Sequence, residues 1–260
     1  MAINIISLGA GVQSTTLAIM ASRGEITPMP DCAIFADTGW EPKAVYIHLA
    51  KLRAALSFPV HVVSAGNLRD DAIAGGSERA KRFAAIPWFI INPDGTHGMG
   101  RRQCTAHYKL EPIRRKVVEL CGGKRRAGQC EMWIGISTDE MQRMKDSRVK
   151  YIVNRWPLIE LSMTRRQCVL YLLSIGWGAP RSACIGCPFH KDAEWRALSQ
   201  EEMADAILVD RAIRNQPKMK GEQFAHRRRI PLDKVDFSTP ADNGQIEFGF
   251  LQECEGMCGI

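Results

Sequence analysis

Three groups of residues in this chain have types and spacings that could do chemistry. The first is Ser7-Leu8-Gly9-Ala10-Gly11-Val12-Gln13-Ser14-Thr15, which follows an apolar run and opens a helical pattern. Glycines there let backbone N–H groups approach an anion, a helix start adds positive potential, and the Ser14 and Thr15 hydroxyls can donate. The loop lacks the Gly-Lys-[Ser/Thr] ending of a Walker loop and the third glycine of a dinucleotide fingerprint. A tight turn with a capping serine is the plainer alternative. The second group is Asp37-Thr38-Gly39-Trp40-Glu41, at the end of the next apolar run. Asp37 and Glu41 could hold Mg²⁺ or orient a ribose there, or could simply start a helix. The third group is sulfur. Cys184-Ile185-Gly186-Cys187 has metal-type spacing, Cys104 lies upstream of it, and Cys254 and Cys258 follow near the end. Such a set suits a [4Fe–4S] cluster, or a zinc ion with His190 as a further ligand.

Those residues need elements to position them. Ile3–Ser7 reads as a buried strand, then the glycine loop, then a helix that Ser14 caps and Gly24 closes. Cys32–Ala36 is a second strand, the segment from Pro42 through Leu56 a second helix, and Pro59–Ser64 a third strand. A helix from about Lys109 to Cys121 precedes a strand at Glu131–Ile136. Strands alternating with helices imply a parallel sheet covered on both faces. Gly66 to Gly100, with Gly75-Gly76 and Pro93-Asp94-Gly95, is expected to form long loops. Beyond Tyr151, Thr164 with Gln167 and Ser199 with Glu202 make capping boxes, which predict helices at Arg165–Ser174 and Gln200–Asn215. Cys32, Cys121, Cys130 and Cys168 fall inside strand or helix patterns and read as buried.

The whole composition narrows the class. The 260 residues are 45% hydrophobic and 24% charged, an ordinary globular balance that excludes a fibre or a disordered tail. No apolar run is long enough for a membrane span, and Ile3–Leu8 is short for a signal segment, so a cytoplasmic protein is expected. Nine cysteines in such a setting favour metal or thiol chemistry over a disulfide framework. A formal charge of +7 favours an anionic partner. Basic clusters stand at Arg101-Arg102, Arg114-Arg115-Lys116, Lys124-Arg125-Arg126, Arg165-Arg166 and Arg227-Arg228-Arg229. Gathered on one face they would make a nucleic-acid footprint; scattered, they are solvated surface.

Taken together, the two loops resemble the PP-loop ATP pyrophosphatases, in particular the branch that holds the phosphoadenylyl-sulfate and adenylyl-sulfate reductases. Cys104-Thr105-Ala106-His107-Tyr108-Lys109-Leu110-Glu111-Pro112-Ile113 is similar to that branch's segment of paired cysteines, a basic residue and a proline, with Thr105 in place of the second cysteine. Gly135-Ile136-Ser137-Thr138-Asp139-Glu140 with Arg143 is similar to its later strand end, and Ser137 stands where an arginine is usual. Pro157-Leu158, Gly176, Pro180 and Cys184-x-x-Cys187 continue the series, so the likeness runs from Ser7 to Cys187.

The resemblance implies a Rossmann-like α/β fold of the adenine nucleotide α hydrolase type, as a nucleotide-binding domain over residues 1–150. A helical and irregular cysteine-bearing portion, 151–260, would fold over the active site. It implies an adenine nucleotide, ATP or the sulfonucleotides PAPS and APS, bound by Ser7, Gly9, Gly11, Gln13, Ser14, Thr15, Asp37, Thr38, Glu41, Lys109, Gly135 and Arg143, with Mg²⁺. Cys104, Cys184, Cys187 and Cys258 would be ligands of a [4Fe–4S] cluster, with zinc as the alternative. Glu253-Cys254 is similar to the reductase tail whose thiolate attacks sulfur, so Cys254 and Asp37 would be catalytic; the roles of Cys254 and Cys258 could be exchanged. The expected activity is ATP-dependent sulfur transfer, in which an acceptor in tRNA or DNA is adenylated and AMP is then replaced by sulfur. The alternatives are a reductase releasing sulfite with a thioredoxin-like partner, or a zinc-stabilised nucleotide-binding module. A separate sulfur donor and an oligomer are compatible with each.

Overall fold

A computed structural model describes residues 2–75, 86–217 and 219–238. Its packing divides the chain into two units, and both are discontinuous in sequence. The first takes the chain through Gly66 and again over Thr105–Ala183; the second takes Asn67–Cys104 and the described residues from Cys184 onward. The boundary expected near residue 150 therefore falls inside the first unit.

The first unit is the α/β sheet. β1 (Ile3–Leu8) leads through the glycine loop to α1 (Val12–Ser22), β2 (Cys32–Asp37), α2 (Lys43–Ala55) and β3 (Val60–Ser64). The order across the sheet, completed by β6 (Cys130–Ile134) and β7 (Ile152–Arg155), is β3-β2-β1-β6-β7, and every pairing is parallel. This is the Rossmann-like α/β architecture. Both faces are buried, as the unbroken apolar runs require. Ile5, Ile34 and Met132 pack with Ile113 and Val117 of α4 (Glu111–Leu120) on one face. Ile6, Phe35 and Trp133 pack on the other with Leu17, Leu49, Leu52 and Leu172, from α1, α2 and α6 (Arg165–Ser174). A short α5 (Pro157–Glu160) lies between β7 and α6. The helix expected from Lys109 begins earlier, as a π-helical turn over Thr105–Leu110 that runs into α4.

The second unit holds an antiparallel sheet of order β5-β4-β8, from β4 (Phe89–Ile91), β5 (His97–Met99) and β8 (Glu222–Phe224). The segment expected as long loops thus contains a hairpin, turned at Pro93-Asp94-Gly95, and the short helix α3 (Leu68–Ile73). α7 (Asp192–Arg196) and α8 (Gln200–Ile213) complete it. Among the described residues no helix is long and apolar enough to cross a membrane.

Candidate functional site at the strand ends

In an open parallel sheet, ligands sit beyond the carboxyl ends of the strands where the strand order reverses. Here the reversal lies between β1 and β6, because β2 and β3 follow on one side of β1 and β6 and β7 on the other. The loops after β1 and β6 meet at that point. A Cβ on Gly135, just past β6, would lie 2.9 Å from the Ser14 backbone nitrogen and 3.0 Å from its Cα. Only glycine lets the β6 end approach the α1 N-terminus this closely.

The glycine loop is wound tightly on itself. Ala10 has φ +57°, a left-handed conformation that a residue with a side chain rarely adopts, and such strain gathers at functional turns. Gly11, not Ser14, is the N-cap residue of α1. The Ser14 hydroxyl instead accepts from the backbone N–H groups of both Gly9 and Gly11, at 3.2 Å each. Those are the donors a phosphate oxygen would take, and Ser14 holds them ready. Ser182 closes the other side: a Cβ on Gly11 would lie 3.4 Å from the Ser182 Cβ, and one on Gly9 3.9 Å from its hydroxyl. Sequence reasoning missed Ser182, which no local pattern ties to a loop so far upstream. Ser7 lies half-buried between β2 and β6, opposite Ile34 and Ile134.

Thr15 departs from its expected role. It is fully buried, and its hydroxyl shares a 2.9 Å hydrogen bond with Nε2 of His48 on α2. Its oxygen is given to helix packing. Gln13 is turned toward the β6 loop, where its Nε2 donates to Ser137 Oγ at 3.1 Å and to Glu140 Oε2 at 2.8 Å. Glu140 also holds Arg143, at 2.6 Å. Neighbouring Asp139 accepts the backbone N–H of Arg165 at the start of α6. Its carboxyl is held below the usual range: burial opposes this, but hydrogen bonds from Ser137 and Arg165 outweigh it.

At the end of β2, Asp37 Oδ1 accepts from Gly39 N at 2.8 Å and from the Tyr46 hydroxyl at 2.9 Å. Burial, and then that hydrogen bond to Asp37, push the Tyr46 phenol well above its ordinary value. This turn is not the helix start, since α2 begins at Lys43 with Pro42 as its N-cap and no side-chain cap, and among the described residues it engages one carboxylate oxygen of Asp37. Glu41 is buried, accepts from the Thr38 hydroxyl at 3.1 Å, and is met by Lys109 Nζ at 3.3 Å. The structure thus brings Thr38, Glu41 and Lys109 together at this rim, and Gln13, Glu140 and Arg143 beside the glycine loop.

Cys104, Cys184 and Cys187 belong to the second unit and are half-buried. Cys184-x-x-Cys187 forms a turn, Cys187 N donating to Cys184 O at 3.0 Å and His190 N to Cys187 O at 3.0 Å. Among the described residues, however, no group of three or more His, Cys, Asp or Glu side chains is arranged to hold a metal ion. Cys254 and Cys258 lie outside the described residues.

No protein-family model matches the chain. No curated protein matches it either. Among solved structures it is similar to the crystal structure of phosphoadenylyl-sulfate (PAPS) reductase from Candida auris in its phosphate complex. The identity is 17% over 70% of this chain and 76% of that one, with a TM-score of 0.46.

Proposed function

We propose that the chain is an adenine-nucleotide-dependent enzyme of the PP-loop type, which activates an acceptor in a nucleic acid for replacement of oxygen by sulfur. The observation that carries this reading is the meeting of the glycine loop with Gly135 at the strand-order reversal, with two loop N–H groups held by a movable hydroxyl. The loop amides of Gly9 and Gly11 and the hydroxyls of Ser14 and Ser182 bind phosphate oxygens. Arg143, oriented by Glu140, and Lys109, oriented by Glu41, offset the charge that develops as pyrophosphate leaves. Asp37 keeps its second oxygen for a ribose hydroxyl or for the Mg²⁺ that accompanies the phosphates, an ion that takes few protein carboxylates. An acceptor oxygen attacks the α-phosphorus and pyrophosphate departs; the outer sulfur of a cysteine persulfide, charged by a separate sulfur donor, then displaces AMP, and a second cysteine thiolate cleaves the resulting disulfide, freeing the thio-product and leaving a cysteine disulfide for an external thiol to reduce. Cys104, Cys184, Cys187, Cys254 and Cys258 are the thiols available for that second step, which is drawn through no metal. Elemental analysis for iron and zinc decides whether any of them are ligands.

The test is Gly11→Val. The backbone there is extended (φ −96°), so any residue can adopt it, but a branched side chain runs into Ser182. ATP affinity, by calorimetry, should fall at least tenfold while the circular dichroism spectrum is unchanged. Unaltered affinity would reduce the loop to a turn. Running the titration with adenylyl sulfate as well separates the two activities: tighter binding of the sulfonucleotide, with sulfite release, would replace sulfur transfer by reduction.

A further inference from the structure

The basic clusters of the sequence have different fates in the fold. Arg227 and Arg228 both reach Asp192, at 2.6 and 3.3 Å. Arg229 lies over the Phe89 ring at 5.3 Å. Lys116 pairs with Glu119 at 2.6 Å. Lys124, Arg125 and Arg126 are exposed, and among the described residues none of them has a carboxylate within ion-pair distance. They sit on the turn between α4 and β6. Gly122, Gly123 and Gly128 bracket that turn at φ +67°, +78° and +65°, and a Cβ at any of the three would meet nothing within 4 Å. The turn therefore stands out into solvent.

A second basic turn lies against it. β6 and β7 are parallel neighbours, so the segments that precede them are side by side at the amino ends of the strands. Gly128 N donates to Lys150 O at 3.0 Å, and Cys130 N to Tyr151 O at 3.0 Å. This brings Arg148 and Lys150, also exposed and without an ion-pair partner among the described residues, next to Lys124, Arg125 and Arg126. Of the carboxylates at this end of the sheet, Glu119 is held by Lys116 and Glu131 by Trp133 and Arg155, which leaves two. Asp31, ahead of β2, spends one oxygen on Asn4 N at 2.7 Å, and Asp146 is exposed beside Arg148. They do not match five cations.

We propose that this surface grips the backbone phosphates of a nucleic acid. It rests on the nucleic-acid acceptor of the function proposed above for its purpose, but its geometry is independent of the nucleotide site. Two features favour a nucleic acid over other anions. The strands separate this end from the glycine loop by about 17 Å, at roughly 3.3 Å per residue, so a ligand serving both must be a polymer. The turn from Gly122 to Gly128 carries no apolar side chain larger than Ala127, whereas interfacial membrane binders present large apolar groups beside the basic ones.

The test measures fluorescence anisotropy of a labelled 20-nucleotide single-stranded DNA, and of RNA of the same sequence, between 50 and 300 mM salt. Wild type is compared with K124Q/R125Q/R126Q and with R148Q/K150Q. Each lost phosphate contact should reduce the slope of log K against log salt by about 0.7 for a single strand, so the triple variant should lose about 2 and the double about 1.4. Affinity at 50 mM salt should fall at least tenfold in the triple variant. Unchanged slopes in both variants, or no wild-type binding to either polymer at 50 mM salt, would overturn the proposal. So would tighter binding to phosphatidylserine vesicles than to either nucleic acid. ATP affinity, titrated on the same proteins, should not change. Loss of ATP binding in wild type with nucleic-acid binding intact would unseat the nucleotide reading and leave this surface standing; the reverse result would unseat the surface alone.

Discussion

At the scale of single residues, six of the described cysteines divide into two chemical populations, while Cys121, expected buried, is half-buried at the end of α4. Burial pushes the Cys32 thiol up to about 11, Cys130 to about 12 and Cys168 to about 11. At pH 8 these three hold almost no thiolate, the form that reacts. Cys104, Cys184 and Cys187 are half-buried in the second unit. Brief treatment with iodoacetamide at pH 8, read by peptide mass spectrometry, should therefore label these three at least tenfold faster than Cys32, Cys130 and Cys168. Equal labelling of the two sets would mean that burial does not control thiol reactivity here. The division was largely legible in the sequence, because Cys32, Cys130 and Cys168 sit in apolar strand or helix runs while Cys184-x-x-Cys187 sits among Gly and Pro. Thr15 was not. Its spacing after the glycines matches a phosphate donor, and only the position of α2 reveals that His48 takes its hydroxyl.

Among elements, the join between β6 and α1 decides whether the site exists. Gly135 is not needed for its backbone angles but for space, since the atoms a Cβ would strike belong to the Gln13–Ser14 backbone. A side-chain neighbour could rotate away; the first turn of a helix cannot. Gly135→Ala should destabilise the first unit by about 1–3 kcal/mol, the usual range for overpacking. It should also weaken ATP more than that loss explains, because the N–H groups of Gly9 and Gly11 move with the helix start. Chemical denaturation and calorimetry on the same protein check both. An unchanged ATP affinity would show that the loop holds its shape without the β6 contact. The sequence displayed each half of this join as a strand followed by a glycine, yet nothing local ties residue 135 to residue 14. Local signals did fix the caps: Thr164 with Gln167 and Ser199 with Glu202 form the reciprocal bonds their spacing predicted.

For the whole molecule, chain order and packing order differ. The chain leaves the parallel sheet after Gly66 and returns at Thr105, so composition along the sequence could reveal two textures but not two interleaved units. Each unit nevertheless shares one liability, which is neutral histidine packed where charge is unwelcome. His48 and His61 in the first unit and His226 in the second are all held below the ordinary 6.5, burial being the leading cause in each. Lys51 adds to it at His48 and Lys116 at His61, while Asp192 works against it at His226. The sign follows from proton counting. Below 6.5 the unfolded chain binds protons that the folded chain refuses, so stability present above 6.5 is lost as pH falls through the lower folded values. Thermal unfolding should therefore shift to lower temperature between pH 7.5 and pH 5.5, above the range where carboxylates titrate. His48→Gln, whose amide can keep a hydrogen bond to Thr15, should make that decline shallower while costing some stability at pH 7.5. A wild-type unfolding temperature that is flat from pH 7.5 to 5.5 would mean these histidines reach solvent in the folded state, and would remove the burial on which the Thr15–His48 contact beneath the glycine loop depends.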